Sequence, residues 1–290
     1  MRRFAWILAA AMLLAGTTIL CMSGRLPAGV SAEDTSAGRL YSPGAGHSVT
    51  ALTLPEDEAG HSHALTGGGS AALVLAGRGE GGRELALELA RRGVTVLLAP
   101  EDADAGEAWS WLTTREFVRI GAVALIAGES RGGNALALAA ELVGGGRECA
   151  ALVLSGEDGL LRDAGMAAAR NILYLSVSEP SAEAAGAFLG DEKVPGTIRG
   201  YFAEGTARSV VRTGTPRLDA RVSLLPVIDW LGSSLGHTVE LHDEDLVVPG
   251  RRILRLAGEL LLVAGAGFAA MAVGVLRAEG IKRKNTYNIL

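Results

Sequence analysis

Ala122-Val-Ala-Leu-Ile-Ala-Gly128-Glu129-Ser130-Arg131-Gly132-Gly133 is an apolar run that leads straight into Gly-x-Ser-x-Gly and then into the helical pattern Asn134–Leu142. A short apolar run bounded by glycine reads as a buried strand, and the pattern behind it as a helix. In a strand-to-helix turn of this kind Gly128 and Gly132 keep side chains out of a tight corner. The expectation is a strained apex at Ser130, set up as a nucleophile, with the following backbone N–H groups aimed at any oxyanion formed on it. In a chain with 40 glycines the motif alone is weak, and the flanking strand and helix give it meaning.

Outward from this stretch the chain alternates between strand and helix patterns. Ser48–Leu54 reads as an edge strand, and Ala71–Ala76 as a buried strand. Gly82–Arg92 reads as an amphipathic helix closed by Gly93, and Val94–Ala99 as the next strand. A helix over Trp109–Val118 leads into the Ser130 strand. Beyond it come strand Ala150–Ser155, a short helix near Leu160–Arg170, strand Asn171–Val177, a helix over Ser181–Leu189 and a last helix over Val222–Leu235. Strands regularly separated by helices predict an α/β domain over 48–237, with a mainly parallel, doubly wound sheet. Residues 25–47 and 238–252 lack periodicity and read as linkers.

The two ends account for a mean hydropathy of +0.29. Phe4–Met22 is apolar behind Arg2 and Arg3, and Leu256–Leu276 is apolar apart from Glu259, which reads as an interfacial residue. The organisation is then a transmembrane signal anchor over 1–24, a second transmembrane helix over 253–277 and a basic tail over 278–290. The first run also admits cleavage as a signal peptide after Val30-Ser31-Ala32. Arg2, Arg3, Arg277, Lys282, Arg283 and Lys284 place both tails in the cytoplasm and the domain on the extracytoplasmic side of the cytoplasmic membrane, against which Arg251, Arg252 and Arg255 count. A net charge of −5 without a basic, aromatic-bearing stripe argues against nucleic acid. Cys21 and Cys149 are the two cysteines, one within the first span and one before a strand, and are not expected to pair.

With the turn on its strand, residues 45–237 resemble the α/β-hydrolase fold. Leu73-Val-Leu-Ala76-Gly77-Arg78-Gly79 matches the family's oxyanion segment, keeping Gly77 but replacing the usual histidine with Ala76. The resemblance implies backbone N–H donors at Arg78 and Arg131. Gly81–Leu98 is similar to the family's first helix and following strand. Gly200–Arg208 with Thr215-Pro216-Arg217 resembles the region before the last helix in a group of bacterial membrane-bound α/β-hydrolases, whose catalytic histidine falls near Arg217.

A serine needs an adjacent base, and the chain order of the family leaves His237, with Glu179, then Glu183, as the acid. Two readings stay open. One is a membrane-anchored serine hydrolase, with nucleophile Ser130, acting on an ester or other acyl bond of a small molecule or lipid. The other is a catalytically degenerate module with a binding or assembly role and a membrane-protein partner. No cofactor or metal is implied: His61-x-His63 has no partner cluster, and Gly79-x-Gly81-Gly82 has the wrong spacing for a dinucleotide loop. Trp109 and Trp111 read as packing residues.

Overall fold

The computed structural model describes residues 2–24, 26, 30–43, 69–147, 149–157, 169–179, 188–189, 197–236 and 246–287. They fall into two compact units, Leu26–Leu246 and the pair Met1–Arg25 with Val247–Leu290.

In the larger unit the described strands form one sheet in the order β1-β2-β4-β3-β5-β6-β7-β8. These are β1 Val30–Thr35, β2 Gly38–Pro43, β3 Gly69–Leu75, β4 Thr95–Ala99, β5 Val118–Ala127, β6 Ala151–Gly156, β7 Ile172–Ser176 and β8 Arg208–Arg212. β3 to β8 are parallel, while β2 runs antiparallel to both β1 and β4. The helices of this unit are α2 Gly82–Arg91, α3 Ala105–Thr113, α4 Gly132–Gly144 and α5 Arg221–Leu235. Leu73, Leu75, Leu97 and Leu125 join α3 and α4 in one core. Their neighbours Val74, Val96 and Ile126 are equally buried, so the opposite face is covered too. There Gly82 at the start of α2 lies against Ala76 and Val74. This is an α/β fold with a mainly parallel sheet covered on both faces.

Local chemistry explains the boundaries. Asp104 caps α3 by accepting the Glu107 N–H at 2.8 Å. The helix expected to run to Val118 stops at Thr113. There the hydroxyls of Thr113 and Thr114 turn back onto the Trp109 and Trp111 carbonyls at 2.9 and 3.0 Å, and Val118 opens β5 instead.

The stretch expected as linker 25–47 holds the β1–β2 hairpin. Its turn is fastened by the Thr35 hydroxyl donating to Gly38 O at 2.7 Å. Only Val30, Leu40 and Tyr41 are buried in it, too few for an apolar alternation to show. β8 escaped notice for the same reason, having only Ser209 and Val210 fully buried. The expected strand 48–54 and most of the helices 160–170 and 181–189 lie outside the described residues.

β5 departs from regular pairing at its start. Gly69 of β3 pairs Val118 but Ala71 pairs Val123, so β5 carries extra residues between them, and Gly121 there has φ 81°.

The smaller unit is two helices, α1 Arg2–Gly24 and α6 Val247–Tyr287. α6 is unbroken, so the boundaries expected at 252/253 and 277/278 are not breaks in its backbone. Glycines set the contact between the two helices. A Cβ on Gly16 would lie 2.9 Å from the Gly258 carbonyl oxygen, and one on Gly258 would lie 3.1 Å from that of Gly16. Leu13 fills the space over Gly265 in the same way. Close backbone approach through small residues is how helices pair where no hydrophobic effect drives them together. Cysteines introduced as Leu13→Cys and Gly265→Cys will therefore form a disulfide on oxidation. Adding Gly16→Leu will cut the cross-linked fraction several-fold on non-reducing gels.

Candidate functional site

The C-terminal ends of parallel strands are where an open α/β sheet offers its crevice, and β3 and β5 end side by side, with Gly128 N donating to Leu75 O at 2.8 Å. After β5 the chain makes one 3-10 turn, Glu129–Arg131, and enters α4. The Arg131 N–H donates to Gly128 O at 3.1 Å, closing that turn. Ser130 is thereby helical: among described non-glycine residues Asn171 alone has positive φ. The strained apex expected at Ser130 is absent. Gly128 and Gly132 have φ of −72° and −57°, open to any residue.

Glycine at 128 answers to something else. A Cβ there would collide with the carboxylate of Glu80, and a Cβ on Gly77 would collide with Ser130 Oγ. Glu80 Oε2 accepts the Gly77 N–H at 2.5 Å, and Oε1 accepts the Ser130 N–H at 2.8 Å. The Glu80 carbonyl accepts the Leu218 N–H at 2.7 Å. Next door Gly81, at φ 80°, lies so close to Asp219 that a side chain on it would strike that carboxylate. Three segments thus close on Glu80: the loop after β3, the turn after β5 and the loop between β8 and α5.

The converging N–H groups are those of Gly77 and Ser130 and carry a carboxylate. Arg78, named from the resemblance as an oxyanion donor, is exposed. The Arg131 N–H is committed to the turn, and its side chain is buried. The guanidinium donates to the carbonyls of Pro100 at 3.2 Å, Ala103 at 2.7 Å and Glu101, pinning the loop after β4 to the start of α4.

Arg217, where the resemblance expects a histidine, grips Asp219 with Nε at 2.8 Å and Nη2 at 2.7 Å. The Asp219 carboxylate is 2% exposed and the Arg217 side chain 37%. This hydrogen bonding pushes the Arg217 pKa above its ordinary value, so the group stays a cation at every working pH. Glu179, beyond β7, is exposed and pairs with Arg212 at 3.3 Å. His237, Glu183, His61 and His63 lie outside the described residues, and so do His47 and His242. Among the described residues no side-chain cluster suits a metal. Trp109 is buried in the core, and Trp111 stacks under Arg115, 3.9 Å from its ring centroid. Sequence reasoning missed Glu80. Its one local signal is a lone carboxylate in Gly77-Arg-Gly79-Glu80-Gly81-Gly82, where four glycines give the backbone freedom to curl around it.

No protein-family model and no curated protein sequence matches the chain. Among solved structures it is similar to a hormone-sensitive lipase from a metagenome library, with 14% identity, TM-score 0.43, and 81% of this chain and 98% of that one covered. It is similar also to a methylesterase, with 13% identity, TM-score 0.42 and coverage of 96% and 76%. A bacterial heroin esterase gives 16% identity, TM-score 0.36 and coverage of 85% and 89%. Likeness at these values carries no functional argument, and the fold assignment rests on the strand order above.

Charge-assisted bonds from main-chain N–H groups are about twice as strong as neutral ones, so Glu80→Gln will lower stability by about 1–3 kcal/mol in denaturant unfolding. Arg217→Ala strands the buried Asp219 carboxylate. Breaking a buried pair costs about 3–5 kcal/mol, and with Arg217 partly solvated the expected loss is about 2 kcal/mol. Asp219→Asn added to Arg217→Ala will restore most of it.

Proposed function

We propose that this chain is a membrane-anchored α/β-hydrolase-type domain in which the site of acyl hydrolysis has become a fixed structural joint, leaving a binding or assembly role at the membrane. The carrying observation is the Glu80 carboxylate on the Gly77 and Ser130 amides. Acyl transfer needs such donors free to meet the oxyanion of the tetrahedral intermediate. A resident carboxylate opposes that charge: two unit charges about 4 Å apart repel by roughly 4 kcal/mol near a protein surface. Arg217 carries the same conclusion, because a guanidinium locked to Asp219 accepts no proton from a serine.

The second reading, a serine hydrolase acting on an ester or other acyl bond, is favoured by one observation. Ser130 is exposed at the end of the central strand, with its Oγ facing the bare Cα of Gly77. In that reading Ser130 is the nucleophile, Glu179 the acid and His237 the base, and Glu80 leaves its two amides before the reaction starts.

The membrane part of the proposal has its own support. Ile253–Gly274 of α6 is a 22-residue apolar stretch with mean hydropathy 1.9, long enough to span a bilayer. Ile253, Leu256, Leu260 and Val263 are exposed along it, as lipid contact requires. The glycine-mediated packing of α1 on α6 favours a retained anchor over a cleaved signal. Basic residues at both chain ends support an extracytoplasmic domain, with Arg251, Arg252 and Arg255 counting against it.

A fluorophosphonate probe applied to the membrane-embedded protein separates the readings. The expected result is no Ser130-dependent labelling of folded wild-type protein. Labelling that is lost in both Ser130→Ala and His237→Ala would establish an activated serine and replace the first reading by the second.

A further inference from the structure

α1 and α6 run antiparallel. Leu20 and Gly16 lie against Gly258, and Leu13 lies against Gly265, so residues nearer the start of α1 meet residues farther along α6. Carried on at the same register, the pairing sets Arg2 and Arg3 beside the last turn of the apolar stretch, which closes at Gly274, and within about a turn of Arg277. α6 then continues without a break to Tyr287, and Lys282, Arg283 and Lys284 fall on that extension. One end of the pair therefore gathers six cations, Arg2, Arg3, Arg277, Lys282, Arg283 and Lys284, with Glu279 as the acid among them in sequence. The other end is balanced. Arg25, Arg251, Arg252 and Arg255 are matched in the sequence by Glu240, Asp243, Glu244, Asp245 and Glu259, and Arg255 bonds Glu259 at 3.1 Å.

We propose that the basic end of this helix pair is a docking surface for anionic phospholipid headgroups. The inference rests on the reading of the pair as a membrane anchor and names the lipid that the anchor selects. Depth divides the cations into two tiers. The hydrocarbon core is about 30 Å thick and the whole bilayer about 40–45 Å, so each headgroup layer is roughly 5–7 Å deep. At about 1.5 Å per residue, Arg277 stands roughly 4–5 Å past Gly274 on a helix along the membrane normal, level with the phosphates, and Arg2 and Arg3 lie at the same boundary. Lys282, Arg283 and Lys284 stand about 12–15 Å past Gly274, above the headgroups but within about one Debye length of them, roughly 8 Å at physiological salt. The inner tier is all arginine. Guanidinium forks match phosphate oxygens in two-point contact and are more weakly hydrated than an ammonium. The outer tier acts through the surface potential of the leaflet, which salt screens. A zwitterionic headgroup brings its own ammonium to the same level and offsets the attraction, so the surface selects lipids of net negative charge.

The test is spin-label electron paramagnetic resonance of the full chain in phosphatidylcholine bilayers, doped with spin-labelled phosphatidylglycerol or spin-labelled phosphatidylcholine, which measures the lipid held at the protein surface. Phosphatidylglycerol is expected to associate about fivefold more strongly or better, the effect of one or more cations at the surface. Arg2→Gln with Arg3→Gln and Arg277→Gln will bring the two lipids to equal association in about 1 M salt, where the Debye length is about 3 Å. Lys282→Gln with Arg283→Gln and Lys284→Gln will weaken the preference at low salt and match wild type in about 1 M salt. Arg251→Gln with Arg252→Gln will leave it unchanged. The Leu13→Cys and Gly265→Cys cross-link, carried in each variant, reports that the helices are paired. Its failure to form in an otherwise wild-type chain overturns the anchor reading and the proposal with it. A cross-link that forms without a preference for phosphatidylglycerol overturns the docking surface alone. So does a preference that survives the loss of Arg2, Arg3 and Arg277 in high salt, or one that follows Arg251 and Arg252. Release of the bound phosphatidylglycerol by soluble glycerol phosphate makes the end a site for free phosphates and overturns the proposal too.

Discussion

The Glu80 carboxylate on two main-chain N–H groups holds together segments far apart in sequence. One oxygen secures the end of β3 through Gly77, and the other secures the turn after β5 through Ser130. The Glu80 backbone takes in the loop ahead of α5 through Leu218. A carboxylate is suited to this because it only accepts, and helix-initiating N–H groups only donate. The positive end of α4 lies on the same turn and adds to the attraction. The geometry also dictates its neighbours: Gly77, Gly81 and Gly128 are glycines because a side chain at any of them would occupy space held by Glu80, Ser130 or Asp219.

Around this joint the chain removes several further charges from water, each with a partner close in space. Arg131 gives its guanidinium to loop carbonyls, Asp219 is gripped by Arg217, and Glu88 on α2 is buried between Arg91 and Arg92. Buried pairs contribute little net stability, yet they penalise any arrangement that separates the partners. Arg131 and the Arg217–Asp219 pair act on loops at the strand ends, whereas the Glu88 bonds stay within α2 and its C-cap. Arg131 and Arg217 lie in the segments that carry the resemblance to a catalytic frame.

What could be read directly from the chain was whatever depended on local apolar runs. β3, β4, β5, β6 and β7 are short stretches buried on both faces, and α2 shows its apolar stripe at Leu85 and Leu89. The β1–β2 hairpin and β8 bury too few side chains to stand out from loop. The conformation of Ser130 was out of reach because Gly-x-Ser-x-Gly permits a strained apex without imposing one. What decides is Glu80, fifty residues upstream, whose effect appears only when β3 and β5 lie side by side. Arg217 was legible as a departure from a histidine position. Its partner Asp219, two residues on, has no hydrophobic period to mark it as buried.

β1 has one hydrogen-bonded neighbour among the described strands, β2, and among them it forms a border of the sheet. That edge is short, and Ser31, Glu33 and Asp34 are exposed along it. Arg39 of β2 reaches across to Asp34 at 3.6 Å, so the charge at the rim alternates in sign. Solvated charges must be stripped of water before another chain can zip onto such a border, and short charged edges are the ordinary protection of open sheets against aggregation. The hairpin's polar character, which hides it in the sequence, is thus also the character of a border that resists pairing sheet to sheet when copies of a domain are crowded.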